Sequence, residues 1–356
     1  MTRVGRTYVK GTAAGAANDG YFGNGSDGAL NVAAGQTFTI DVPSEDTQII
    51  KNYSSVNIAA GATVKTSGRC NGVVWLVSGD FILDGTIDMD KRAPLLNDNE
   101  AAAAQEPHVA LCGALNGGKG GDAGVGGSIV SSGHSTHGSW EAYSYAPGVG
   151  GSGFRFGGGY GGGSSNEQGR GGSCEPRPPI GTAIPYPAGV KVSYCGTGAT
   201  ANGYDDGIGY GGKGPGGSAG LYLYYSSGVV YNGRDGDAVG GGAIWIFVKG
   251  KVRISSTGRI TACGGNGGAG QYRTKGGEGG ALGGEIQATG GGGAGGGGIV
   301  CLIHSGDCNV LGSVVANGGI GGTRGIGSES NAQATNGEDG GVGVVLIKPL
   351  SELLDL

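Results

Sequence analysis

The chain has 356 residues, of which 88 are glycine and 11 proline, and its formal net charge is -5. A quarter of its residues bring no side chain to bury, which excludes a fold stabilised throughout by ordinary apolar packing. The acidic balance leaves no basic surplus for nucleic acid, and no run approaches the roughly 18 apolar residues of a membrane-spanning helix, so neither nucleic-acid binding nor membrane insertion is expected.

In chain order, Met1 to Lys10 is basic with no apolar stretch behind it, so no secretory signal is expected and folding in a cytosol is expected. Gly23-Asn-Gly-Ser-Asp27 has the form of one calcium-binding nonapeptide turn, but single copies outside a tandem array rarely hold metal, and none is assigned. Leu30 to Val42 and Val56 to Val64 read as short strands joined by the turns Ala34-Gly35 and Ala60-Gly61. Val73 to Ile87, Ile244 to Ile260 and Ile299 to Val314 then repeat one scheme: an apolar strand, a glycine turn, a short alternating strand, another glycine turn and a third short strand. Such regularity predicts stacked β-units. The unbroken apolar character of Val73 to Val77 and Ile244 to Val248 predicts strands covered on both faces. Leu95 to Gln105, an alanine-rich run stopped by Pro107, is the one predicted helix.

Asn116 to Gly127 introduces a different period, Asn-Gly-Gly, Lys-Gly-Gly, Asp-Ala-Gly, Val-Gly-Gly, and similar triplets recur at 148–163, 211–220, 264–270, 276–284, 290–298 and 318–327. A period of three belongs to the polyproline-II geometry, whose backbone makes no internal hydrogen bonds. Glycine faces allow such rods to approach until their N–H and C=O groups bond to one another, as buried backbone requires. Collagen is excluded because the one-in-three register breaks, and a purely disordered linker is excluded by the interspersed Val/Ile/Leu strands. The expected fold is all-β with polyglycine-II: a short-stranded β-solenoid or sandwich-like repeat combined with a bundle of packed polyglycine-II helices and almost no α-helix. Three regions are expected: a β-rich attachment region at 1–110, polyglycine rods with Tyr-rich loops at 111–240, and β-repeats alternating with rods at 241–356.

Binding chemistry concentrates between Ser128 and Asn232, which holds eleven of the 15 tyrosines. Tyrosine among serine, glycine and asparagine gives large amphipathic contact area at small entropic cost, as in antibody loops. Trp140, Tyr143, Tyr145, Phe154, Arg155, Phe156, Tyr160, Tyr186, Tyr204, Tyr210 and Tyr224 are the candidate receptor-binding residues. The competing reading makes the same rings an apolar jacket over the glycine bundle. The seven cysteines are scattered; buried free thiols are the ordinary expectation, and Cys174 with Cys195 is the candidate disulfide.

Catalytic and metal motifs are weak. Gly216-Gly-Ser-Ala-Gly220 lacks the strand-turn-helix setting of a nucleophile elbow, and His134 with His137 offers only two loop ligands. Cys301, His304 and Cys308 span a strand and a turn, so their side chains are not expected to converge on zinc. No catalytic residues, metal or cofactor are assigned, and the protein is expected not to be an enzyme.

Phe22-Gly-Asn-Gly-Ser-Asp-Gly-Ala-Leu30, Val56-Asn-Ile-Ala-Ala-Gly-Ala-Thr-Val64, the block Trp75 to Ile87 and the triplets that follow resemble glycine-rich bacteriophage tail-fibre and tail-tip proteins. In style they are similar to the polyglycine-II receptor-binding adhesins of T-even-like phages. The resemblance implies a virion protein at the tail fibre or tip that binds a host cell-surface protein or glycan and contacts other virion proteins, as a monomer or a trimer. A structural capsid, collar or baseplate connector is the first alternative and a bacterial surface adhesin the second.

Overall fold

The computed structural model describes residues 21–44, 47–70, 72–93, 237–270, 291–324 and 336–354, together with short strands between these segments. Short apolar runs separated by glycine turns become short strands, and the chain winds them into coils. The first coil is β1 (Ala29–Val32), β2 (Thr37–Ile40) and β3 (Ile49–Tyr53); the second is β4 (Ser55–Ile58), β5 (Thr63–Thr66) and β6 (Val73–Val77). The third begins with β7 (Phe81–Leu83) and β8 (Thr86–Asp88). An excursion then carries β9 (Leu95–Leu96), β10 (Ala142–Ser144), β11 (Gly198–Ala199), β12 (Leu221–Leu223) and β13 (Val229–Tyr231) before β14 (Ala243–Val248) closes the coil.

The fourth coil is β15 (Val252–Ile254), β16 (Arg259–Thr261), an excursion holding β17 (Tyr272–Thr274) and β18 (Ile286–Ala288), and β19 (Ile299–His304). The fifth is β20 (Cys308–Val310), β21 (Ser313–Val315) and β22 (Val344–Pro349), followed by the short helix α1 (Leu350–Leu354). Each coil places one strand in each of three parallel sheets, ordered β1-β4-β7-β15-β20, β2-β5-β8-β16-β21 and β3-β6-β14-β19-β22. Strands from 29–88 and from 243–349 therefore share every sheet. The protein is mostly β with almost no helix among the described residues. The predicted helix at Leu95–Gln105 is corrected at its start: Leu95 and Leu96 form a strand beside Gly198 and Ala199, long-range pairing overriding local propensity, and 97–105 lie outside the described residues.

The three sheets enclose one core. Leu30, Val56, Phe81, Val252 and Cys308 stand in register in the first sheet, and Trp75, Ile246, Leu302 and Ile347 in the third. Both rows face the common interior. Alternate residues of the third sheet, Val74, Trp245, Phe247, Cys301 and Ile303, form a second cluster on its outer face with Tyr21, Phe22 and Leu350. The predicted burial of both faces of β6 and β14 is met, since every residue in the two strands is buried.

Tyr53 closes one end of the third sheet's inner face, its ring edge-on to Trp75 with centroids 5.5 Å apart and planes at 87°. Burial first, and then the Asp27 charge, pushes its phenol from 10.0 up to about 12. A raised folded pKa favours the neutral form, so this contribution to stability is complete below pH 10 and disappears as pH rises through about 12. Alkaline unfolding followed by circular dichroism should set in within that window, and Tyr53→Phe should delay it; a midpoint unmoved by the substitution would contradict the assignment.

The glycine segments lie at the corner where the chain passes from the second sheet to the third. Coils three, four and five each send an arm out and bring one back: 89–93 and 237–242, 262–270 and 291–298, 316–324 and 336–343. The arms form no regular strand, and those of the fourth and fifth coils bond to one another in steps of three. Gly264, Gly267 and Gly270 donate to the carbonyls of Asn317, Ile320 and Thr323, while Gly292, Gly295 and Gly298 donate to Gly268, Gly265 and Ala262. Gly337, Gly340 and Gly343 donate to Gly322, Gly319 and Ala316, and Gly319 and Gly322 donate to Gly295 and Gly292. These bonds span 2.6–3.0 Å, and each joins two different arms. Glycine is required by proximity: a Cβ on Gly264, Gly267, Gly295, Gly319 or Gly340 would run into a neighbouring arm's carbonyl.

Candidate functional site

The arms decide where the long inserts are mounted. Residues 94–236, 271–290 and 325–335 all leave from and return to the same corner, because each is inserted between the second-sheet and third-sheet strands of its coil. The far ends of the arms are tied together: Gly270 donates to Thr323, Gly292 to Gly268, and the Arg324 N–H to Oδ1 of Asn336 at 2.8 Å. Polar residues among the glycines supply further acceptors, with Asn266 Oδ1 taking the N–H of Ile320 at 2.8 Å and Asp339 Oδ1 that of Gly321 at 2.7 Å. Beyond the arms of the fourth coil, β17 and β18 pair as an antiparallel ribbon. In the largest insert β10, β12 and β13 form a three-stranded antiparallel sheet.

Of the candidate receptor-binding residues, Tyr143 is placed in β10, opposite Tyr222 of β12. Trp140, Tyr145, Phe154, Arg155, Phe156, Tyr160, Tyr186, Tyr204, Tyr210 and Tyr224 lie outside the described residues, as do Cys174 and Cys195, His134 and His137, and the segment 216–220.

A cleft of about 680 Å³ opens at the root of the largest insert. Arg69, Asp88, Asp90, Lys91, Arg92 and Asp237 line it. Lys91 turns the chain with a left-handed backbone, φ 56°, a conformation that costs about 1 kcal/mol outside glycine. Its N–H donates to the Cys263 carbonyl and its ammonium pairs with Asp237, while Asp90 accepts the Cys263 N–H at 2.6 Å and Asp88 accepts the Asp90 N–H at 2.9 Å. The Arg92 Nε is buried without a hydrogen-bond partner. Three carboxylates and three cations present both donors and acceptors, a surface suited to a polar ligand. These residues come from three separated parts of the chain, so no local motif marked them.

Cys70 and Cys301 are buried and Cys263 and Cys308 half-buried, and Cys70, Cys263 and Cys308 are free thiols. Burial pushes the thiols of Cys70, Cys263 and Cys308 up, which keeps them protonated and unreactive. Cys301 belongs to the outer cluster of the third sheet whereas Cys308 packs on the interior, and His304 Nδ1 lies 2.7 Å from the Gly306 carbonyl. The three residues therefore face different surroundings. Asp27 serves the backbone: its carboxylate accepts the Asn52 N–H and its own N–H donates to the Asn52 carbonyl. Among the described residues no helix is long and apolar enough to cross a membrane. No family model, curated protein or solved structure matches the chain.

Proposed function

We propose that the chain is a non-enzymatic structural protein of a phage tail fibre or tail tip. In this reading a β-solenoid and a bundle of polyglycine-II helices hold a Tyr-rich insert against a host surface protein or glycan. The observation that carries it is the mounting of all three inserts on one corner, where the arms of the fourth and fifth coils bond to each other every third residue and those of the third coil bond onto them through Asp237, Val239 and Gly241. Polyglycine-II supports that spacing, because a rod of three residues per turn returns the same backbone group to the same side at each turn. A flexible glycine linker would make no such network. The rods carry little side-chain chemistry, so recognition falls to the inserts, where rigid tyrosine rings supply contact area.

Purified chain should compete with phage for adsorption to host cells. The combined variant Tyr143→Ala, Tyr145→Ala, Tyr204→Ala and Tyr210→Ala should stay folded and lose competition. Absence of competition by the unaltered chain would favour the connector reading, which the exposed apolar side chains of the fifth coil support.

A further inference from the structure

The two ends of the coil stack differ. At the first coil the edge of β3 is closed: Ser26 bridges Tyr53 in antiparallel fashion, Asp27 bonds Asn52 through both its N–H and its carboxylate, and Lys51 stands in the same row as Trp75. A charge in the inward row and a covered edge both discourage further strand pairing. Leu30, Val32, Ile40 and Ile49 are all buried there.

At the fifth coil β20, β21 and β22 are each the last strand of their sheet. The inward-row residues Cys308, Val310, Val314 and Ile347 are only partly buried. Leu311, Ile320, Val342 and Val345 are 69%, 68%, 72% and 40% exposed. The helix α1 does not cover this end, because its Leu350 packs on the outer face of the third sheet.

We propose that this open end docks on the same end of a second copy, giving a closed head-to-head dimer. Three observations select that occupant. Residues 308–323 and 340–347, 24 in all, contain no charged side chain, so two identical ends meet without like-charge repulsion although each chain carries a net charge of -5. Ala316, Gly319 and Gly322 are buried, and the 21 that remain lie within the roughly 20–30 a side of a standard stable interface. All the strands circulate in one sense, so a two-fold axis across the stack sets each edge strand antiparallel to whichever strand it meets, the arrangement that lone strand edges pair in readily. Head-to-tail stacking is opposed at the first coil by the covered edge of β3 and by Lys51 in its inward row. The dimer carries two insert platforms, which raises avidity for a repeated surface ligand without any new contact to it. The proposal rests on the coil geometry and does not depend on the phage reading.

Sedimentation equilibrium of the full chain tests it. The unaltered chain should be a dimer, and Leu311→Asp combined with Val342→Asp, both at exposed positions, should weaken association about a hundredfold through buried like charges while leaving the circular dichroism spectrum of the folded chain unchanged. Phe38→Asp, at the opposite end, should leave the dimer intact. A photo-crosslinking residue at position 311 should attach to residues 308–349 of the partner copy. A monomer throughout the micromolar range, undiminished association of the double variant, open-ended polymers or attachment to residues 21–53 would each overturn the proposal.

Discussion

Gly295→Ala is expected to destabilise the fold by roughly 3 kcal/mol or more, a large effect for the addition of one methyl group. Gly295 lies among several arms: its N–H donates to Gly265, its carbonyl accepts from Gly319, and a Cβ would strike the carbonyls of Val239 and Ala238. Those oxygens are backbone, so no rotamer change relieves the clash. The arms must separate, which adds about 1–3 kcal/mol of overpacking to about 1 kcal/mol for each hydrogen bond lost. The comparison is Gly68→Ala, where the added Cβ meets nothing within 4 Å and the backbone is not left-handed. There alanine restricts the unfolded chain and should stabilise by about 0.4–1 kcal/mol. Urea denaturation of the two variants should shift in opposite directions; equal behaviour would mean the arms are not packed.

Trp75→Ala should cost about 3–5 kcal/mol. Trp75 is fully buried, sits between Lys51 and Ile246 in its row, and meets the Tyr53 ring edge-on. Its indole N–H is buried without a hydrogen-bond partner, a burden of about 1–3 kcal/mol that the packing outweighs. Trp75→Phe removes that burden along with part of the volume, and should therefore remain within about 1.5 kcal/mol of the unaltered chain. If both variants lost the same stability in urea, an unseen partner of the indole would have to be sought.

The contrast between these two sites also marks what a reader of the sequence can recover. The strand blocks at 73–87, 244–260 and 299–314 were legible because each holds its own glycine turns and because β6 and β14, buried on both faces, cannot alternate. That β8 pairs with β16 across residues 89–258 was not legible, since parallel pairing between coils leaves no mark at either strand. Of the triplets, those at 264–270, 291–298 and 318–324 fall on the arms and those at 116–127, 148–163, 211–220 and 276–284 lie outside the described residues, but glycine has no side chain with which to choose a neighbour. Which arm bonds to which is set by the coils that anchor them. Leu95–Leu96 misled through its alanine-rich continuation, and the pairing with Gly198 and Ala199 overrode that propensity.

The candidate site divides in the same way. Its place in the fold follows from the repeated position of the inserts within their coils, visible in sequence as interruptions between a second and a third strand. The charged cleft was hidden because Arg69, Asp90 and Asp237 approach only after three coils have stacked. Asp27 shows the converse: its turn has the pattern of a calcium motif, yet the carboxylate is occupied by the Asn52 N–H at the edge of the first coil.

Bonds between the glycine arms set them apart from a flexible linker as the mount of the inserts. Amide hydrogen exchange, resolved by residue, separates the two. The donors Gly264, Gly267, Gly292, Gly295, Gly298, Gly319 and Gly322 should be protected to a degree comparable with the strands of the three sheets. Exchange of these glycines at the rate of an unstructured chain, with the strands still protected, would contradict the bonded mount.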